Sequence, residues 1–226
     1  ENKGRFEDKE LSRLRSRDLT DLIMSQIVSD IRLKYEPKWT RRGMWDRAYY
    51  EARIPSCPTM LLELLSHQNF ADMRYGLDPA FRFDVSRAIY KGILRYLSSQ
   101  YNSEYIVQPL PVNSFSVELS GDIAHLSWQP TTDPLEPTAE PDYYILYTRI
   151  DGKGFDCGRR IDTTSTLVKQ EADKVYSYRI TAVNAGGESF DSETLSACAT
   201  TNAKGNVMVI NGFDRVSAPM SIQGDS

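Results

Sequence analysis

The residues with the most chemical promise in this chain gather between positions 53 and 72. Glu63 stands inside an apolar run, Thr59-Met60-Leu61-Leu62-Glu63-Leu64-Leu65, which opens after Pro58 and closes on Ser66-His67-Gln68-Asn69. An ionised carboxylate is costly to bury without a partner. One kept among leucines is therefore put to use, turned to solvent from an edge strand, or paired with an arginine. Put to use, it is a general acid–base group: a single carboxylate can take a proton from an attacking water and return it to a departing amine. Desolvation in a strand is the expected means of tuning such a group. His67 can orient a substrate or sit near a metal, with a structural role as the alternative, and Asn69 ends the cluster. Arg53, ahead of Pro55 and Pro58, suits a peptide carboxylate because arginine offers two parallel hydrogen bonds; a surface or sheet-edge arginine is the other reading. Trp39, Trp45, Tyr49 and Tyr50 make an aromatic-rich group fit for stacking on sugar rings or for packing a core.

The elements that must position these residues read as helix, strands, helix. Leu19, Leu22, Ile23, Ile27 and Ile31 recur at helical spacing from Asp18, a capping residue, to Lys34. Ala48-Tyr49-Tyr50-Glu51-Ala52-Arg53 has the composition of a strand. The near-continuous apolar run carrying Glu63 fits the interior of a parallel sheet covered on both faces, and the C-terminal end of such a strand is where sites form. Asp78-Pro79 then supplies a cap and a first-turn proline, and Phe81, Val85, Ile89, Ile93 and Leu97 line one helical face.

From Gln108 the texture changes to short alternating segments separated by turn residues, the pattern of an all-β sandwich. Predicted strands are 115–119, 123–128, 143–150, 166–169, 175–184 and 194–199, with Asp151-Gly152-Lys153-Gly154 as a hairpin turn. The loop from Asp133 to Asp142, rich in Pro and Glu, reads as solvated. Val207-Met208-Val209-Ile210-Asn211-Gly212 reads as one more strand. Three regions follow: 1–104, mixed α/β; 108–200, all-β; and 203–226, the start of a further domain.

Composition narrows the classes. The chain has 226 residues, 40% hydrophobic and 26% charged, which is ordinary for a folded protein. With 27 basic against 31 acidic residues and net charge −4 it offers no general phosphate-backbone surface, so nucleic acid is not an expected partner. Cys57, Cys157 and Cys198 are too few and too scattered for a disulfide framework or a zinc knuckle. No stretch has the length of a membrane span, and Glu1-Asn2-Lys3-Gly4-Arg5 does not look like a signal peptide. The absent initiating Met leads us to expect a piece of a longer protein.

Two resemblances sharpen the reading. "HLSWQP" and "YSYRITAVNAGGES" resemble the fibronectin type III family over roughly 108–200. That resemblance makes Trp128 the core tryptophan, Tyr176 a corner tyrosine whose hydroxyl ties back to the backbone, and Gly186-Gly187 the turn between the last strands.

"PTMLLELLSHQNFADM" and "RAIYKGILRYL" resemble the C-terminal part of zinc-dependent N-acetylmuramoyl-L-alanine amidases of the amidase 3 type, matching at Pro58, Glu63, Asn69, Asp72, Gly92, Ile93 and Tyr96. Leu64-Leu65-Ser66-His67-Gln68-Asn69 departs from the family's Gly-Phe-Ile-Ser-Asn flavour. The resemblance implies Glu63 as catalytic base and acid and peptidoglycan or another envelope glycan as partner; Arg53, His67 and Asn69 are the candidate substrate-binding residues. It implies a secreted, periplasmic or cell-surface location, and zinc in the parent protein. The family holds its zinc with two histidines and a glutamate in earlier motifs that this chain lacks, so the expectation is an inactive fragment of a cell-wall amidase. The rival expectation is an accessory or carbohydrate-binding region of another polysaccharide-degrading enzyme, such as a lyase.

Overall fold

The computed structural model describes residues 9–47 and 49–210, with 9–12 and Arg53 described by backbone alone. The chain divides into two compact units, with the boundary between Glu104 and Tyr105.

The first unit is helical. It comprises α1 (Lys9–Lys34), α2 (Tyr50–Arg53), α3 (Phe70–Gly76) and α4 (Pro79–Tyr101). Among its described residues there is no strand, which corrects the α/β expectation for 1–104. Residues 50–53, expected as a strand, close one helical turn instead, with Ile54 N–H donating to the Tyr50 carbonyl at 3.0 Å before Pro55. Residues 58–66 run without turn or bend, and 60–64 alternate between half-buried and exposed, a strand's pattern without a strand's pairing. Their apolar side chains are sheltered by helices: Met60, Leu62, Leu64 and Leu65 pack on a core of Ile23, Ile27 and Ile31 from α1 and Phe81, Val85 and Ala88 from α4.

Helix α1 starts well before Asp18, which therefore sits mid-helix and caps nothing. Helix α4 begins as its sequence dictates, Asp78 accepting from Ala80 N–H at 2.9 Å with Pro79 in the first turn. Its buried face differs from the expected one: Phe81, Val85, Ala88, Gly92 and Tyr96 are buried, whereas Ile93 and Leu97 are exposed. A strict spacing of four drifts by about 40° per step around an α-helix, so a stripe read that way leaves the core after two turns.

Gly92 is a point of close helix approach, where an added Cβ would lie 2.6 Å from Ile23 Cα. Backbone cannot step aside there. Gly92→Ala is expected to lower stability by about 1 to 3 kcal/mol through overpacking, against the roughly 1 kcal/mol that alanine gains over glycine in a helix. A urea midpoint equal to or above that of the parent would show that the helices part without cost.

The second unit is an antiparallel sandwich. Its strands are β1 (Asn113–Ser120), β2 (Ile123–Gln129), β3 (Tyr143–Ile150), β4 (Arg159–Ile161), β5 (Ser165–Lys169), β6 (Tyr176–Asn184), β7 (Gly187–Glu188) and β8 (Leu195–Ala197). One sheet has the order β1-β2-β5; the other runs β4-β3-β6, with β7 and β8 both pairing with β6. The core holds Ala124, Leu126 and Trp128 of β2 against Tyr144, Leu146, Tyr176, Tyr178, Ile180 and Ala182. The short strands β4 and β7 were not foreseen. At the β3–β4 connection the glycine that geometry demands is Gly158, with φ +81 and a Cβ position 2.4 Å from Ile145 Cγ2; Gly152 and Gly154 face open space.

Tyr176 does form the corner, its hydroxyl accepting from Glu171 N–H at 3.1 Å. Tyr176→Phe is expected to cost about 1 kcal/mol, the net worth of one such hydrogen bond. Unchanged thermal stability of this unit would mean that water replaces the hydroxyl at no loss.

The 133–142 loop is only partly solvated. Asp133, Glu136 and Ala139 are buried, and Glu136 accepts from Tyr105 Oη at 2.8 Å and Thr138 Oγ1 at 2.9 Å. Asn184 Nδ2 donates to the carbonyls of Val107, Thr138 and Glu140 at 2.9 to 3.2 Å, tying the lead-in segment to this loop. Residues 207–210, expected to open a further strand, belong to no strand and are 77% to 90% exposed. The rest of the expected third region, 211–226, lies outside the described residues.

Candidate functional site

Glu63 is exposed on the 58–66 segment, because Met60, Leu62 and Leu64 turn inward and the alternation sends Leu61 and Glu63 outward. The desolvated strand position expected of it is therefore not what the fold provides. Glu63 lies on the wall of an open groove of about 650 Å³, within the range of roughly 300 to 1,000 Å³ usual for ligand clefts. The facing walls are the first half of α1, with Arg13, Ser16, Arg17 and Thr20, and the segment 42–49 with Arg42, Trp45 and Tyr49.

The other expected site residues are dispersed. His67 is exposed at the turn that ends the segment, and neither it nor Glu63 has a hydrogen-bond or ion-pair partner among the described residues. Asn69 is the cap of α3, its Oδ1 accepting from Ala71 N–H at 3.0 Å, and Asp72 accepts from Ser66 N–H at 2.9 Å. Those bonds fix the turn that carries His67. Arg53 ends α2, and its side chain lies outside the described atoms. Of the four aromatics, Trp39 packs in the core, its ring 5.5 Å from Tyr75 at 84°; Trp45, Tyr49 and Tyr50 are exposed, with Arg47 over the Trp45 ring at 4.8 Å.

Sequence reading missed the basic lining of the groove. Arg13 and Arg17 lie one turn apart on α1, and Arg13 meets Asp46 at 3.6 Å. Arg41 pairs with Asp21 on α1, which holds the start of the 42–49 segment against that helix. The only local signals were the Arg13-to-Arg17 run and the Arg41-Arg42 pair, which say nothing of one another across the fold. Away from the groove, Tyr35 donates to Asp84, which also pairs with Lys34 at 2.6 Å. Burial first, then this carboxylate, push the tyrosine pKa far above its ordinary value, so Tyr35 stays a donor under all mild conditions.

No group of three or more His, Cys, Asp or Glu among the described residues is arranged to hold a metal ion. His125 points outward from β2, in the sandwich unit. None of the described helices is long and apolar enough to cross a membrane.

The strand order, the corner bond of Tyr176 and the buried Trp128 together make residues 105–210 a fibronectin type III-like sandwich. Solved structures similar to the chain carry that domain. They include the twitchin kinase region from C. elegans, 21% identical with a TM-score of 0.38, covering 44% of this chain and 18% of that one. They also include the fourth FNIII domain of a human protein, 20% identical with a TM-score of 0.37, covering 44% and 85%. A third is the FN5 domain of Drosophila Lar, 20% identical with a TM-score of 0.33, covering 42% and 99%. The chain thus spans less than a fifth of the twitchin region it matches. No family model and no curated protein matches the chain.

Proposed function

We propose that this chain is a portion of a secreted, cell-wall-directed hydrolase of the zinc-dependent N-acetylmuramoyl-L-alanine amidase type, joined to a fibronectin type III-like module. The bond cut is the amide between the lactyl group of muramic acid and L-alanine. The observation that carries the reading is the placement of Glu63. It is the one carboxylate on a segment whose Met60, Leu62, Leu64 and Leu65 pack inward, and it stands on the wall of an open groove with no partner among the described residues. An accessible carboxylate of this kind can take a proton from water and deliver it to the departing amine. The ordered set Pro58, Glu63, Asn69, Asp72, Gly92, Ile93 and Tyr96 supports the same reading. The close approach of Gly92 to Ile23 of α1 and the burial of Tyr96 give two of these residues a place in the helical core.

Zinc does not fit the described residues of this chain. They include two histidines, His67 and His125, one in each unit, and no cluster with the donor set of a zinc site. Any zinc of the reaction is held by other polypeptide, and this chain by itself is not expected to hydrolyse the amide.

The test is release of L-alanine amino termini from a muramoyl-peptide, with zinc present, by the protein extended upstream of Glu1 and by its Glu63→Ala variant. Loss of about a hundredfold to ten-thousandfold in the variant is the expected result for removing a general acid–base group. Equal release from both, or none from either, would overturn the amidase reading and leave an accessory role beside another polysaccharide-degrading domain.

A further inference from the structure

The groove has a property that Glu63 does not account for. Residues 59–63 line it consecutively, so an edge of the backbone faces the groove together with the side chains. The Thr59 N–H is met by Ser16 Oγ at 3.3 Å, but no backbone N–H or carbonyl of residues 60–65 is hydrogen-bonded to any described residue. An open extended edge is a template for another strand. The inward packing of Met60, Leu62 and Leu64 pins the segment, since a slip of one residue would expose all three. The edge is thus presented in one register.

Charge selects what fits. Arg13, Arg17, Arg42 and Arg47 line the groove against Asp46 and Glu63. Arg13 is engaged by Asp46, whereas Arg17 and Arg42 are exposed and have no carboxylate partner among the described residues. Leu14, Met44 and Trp45 supply apolar wall between them.

We propose that residues 60–63 are a docking edge for an extended acidic polypeptide strand, which adds by main-chain hydrogen bonds and sets its carboxylates on Arg17 and Arg42. The proposal does not rest on the amidase reading, because it uses the backbone edge and the arginines and leaves the Glu63 carboxylate aside.

The test uses the 226-residue chain and the peptide acetyl-Val-Asp-Val-Thr-Val-Glu-Val-amide, with calorimetry for affinity and hydrogen exchange for location. Saturable one-to-one binding is expected, with slowed exchange of the amides of Leu61, Leu62 and Glu63. Of the two alternately N-methylated forms of the peptide, the one blocked on the docking edge should bind about tenfold or more weakly. The Arg17→Ala/Arg42→Ala variant should lose a similar factor, while Glu63→Gln, which takes a like charge off the groove wall, should bind the peptide at least as tightly as the parent does. Absence of binding, equal binding by both N-methylated forms, or equal binding by a poly-glutamate of the same length would overturn the proposal. Protection of the same amides without peptide, rising with protein concentration as light scattering reports a dimer, would give the edge to a second copy and overturn it as well.

Discussion

Replacing Asp30 by alanine is expected to destabilise the helical unit by about 3 to 5 kcal/mol, the usual consequence of stranding one member of a buried ion pair. Asp30 Oδ2 meets Lys91 Nζ at 2.7 Å, and the two side chains are only 5% and 1% exposed. The pair joins α1 to α4 at the level where Gly92 lets the helices touch. It does not stand alone: Gln26 Nε2 donates to Asp30 Oδ1 at 2.9 Å, and Arg95 Nε donates to Gln26 Oε1 at 2.8 Å. Without Asp30 the buried Lys91 ammonium loses its counter-ion, and without Lys91 the carboxylate does. Lys91→Met should therefore cost about as much as Asp30→Ala, whereas the double change Asp30→Leu/Lys91→Met should recover most of the loss and can exceed the parent. Urea unfolding followed by far-ultraviolet circular dichroism checks this. Single variants within about 0.5 kcal/mol of the parent, the scatter of ordinary surface changes, would mean that the pair is solvated in practice and adds little to the interface.

Trp128→Ala is expected to cost the sandwich about 3 to 5 kcal/mol, the range for emptying a large aromatic site. Trp128 is 1% exposed, and its ring packs edge-on against Tyr144 at 5.4 Å and 71°. Its burial has one imperfection: Nε1–H has no hydrogen-bond partner among the described residues. A buried donor left unpaired costs about 1 to 3 kcal/mol, so Trp128→Phe, which removes the donor but leaves part of the space unfilled, should lose much less than the alanine variant. Hydrogen exchange of the β2 and β6 amides reads this unit separately from the helices. A phenylalanine variant as unstable as the alanine variant would show that indole volume, and not the orphaned donor, decides the site.

The parts of this fold that were legible in the sequence are those fixed by near neighbours. Asp78-Pro79 marked the start of α4 because a cap and a first-turn proline act within one turn. The alternation of Ile123 to Trp128 marked β2, and the Tyr176 motif carried its corner bond. What was not legible depends on distant contacts. A strand is defined by its partner, and the apolar run around Glu63 found helices to pack on, which an apolar pattern alone cannot distinguish from a sheet interior. Glu136 looked solvated because its neighbours are prolines and acids; its burial comes from Tyr105 and Thr138 and from the carbonyls that Asn184 gathers. Nothing in the residues around Lys91 marks it as buried; that depends on Asp30, on the other helix. The candidate site divides in the same way: Glu63 was conspicuous, but the arginines that surround it come from two separate stretches of chain.

The stretch from Thr40 to Arg47 is exposed at every position, lies outside any helix or strand, and contains three arginines, Arg41, Arg42 and Arg47. Exposed segments of this kind are where proteases cut first, so brief trypsin treatment should nick the helical unit there and leave α1 and α4 held together by their shared core. Because Arg42 also lines the groove, the rate of that nick becomes a reporter of occupancy, readable on a gel without any label.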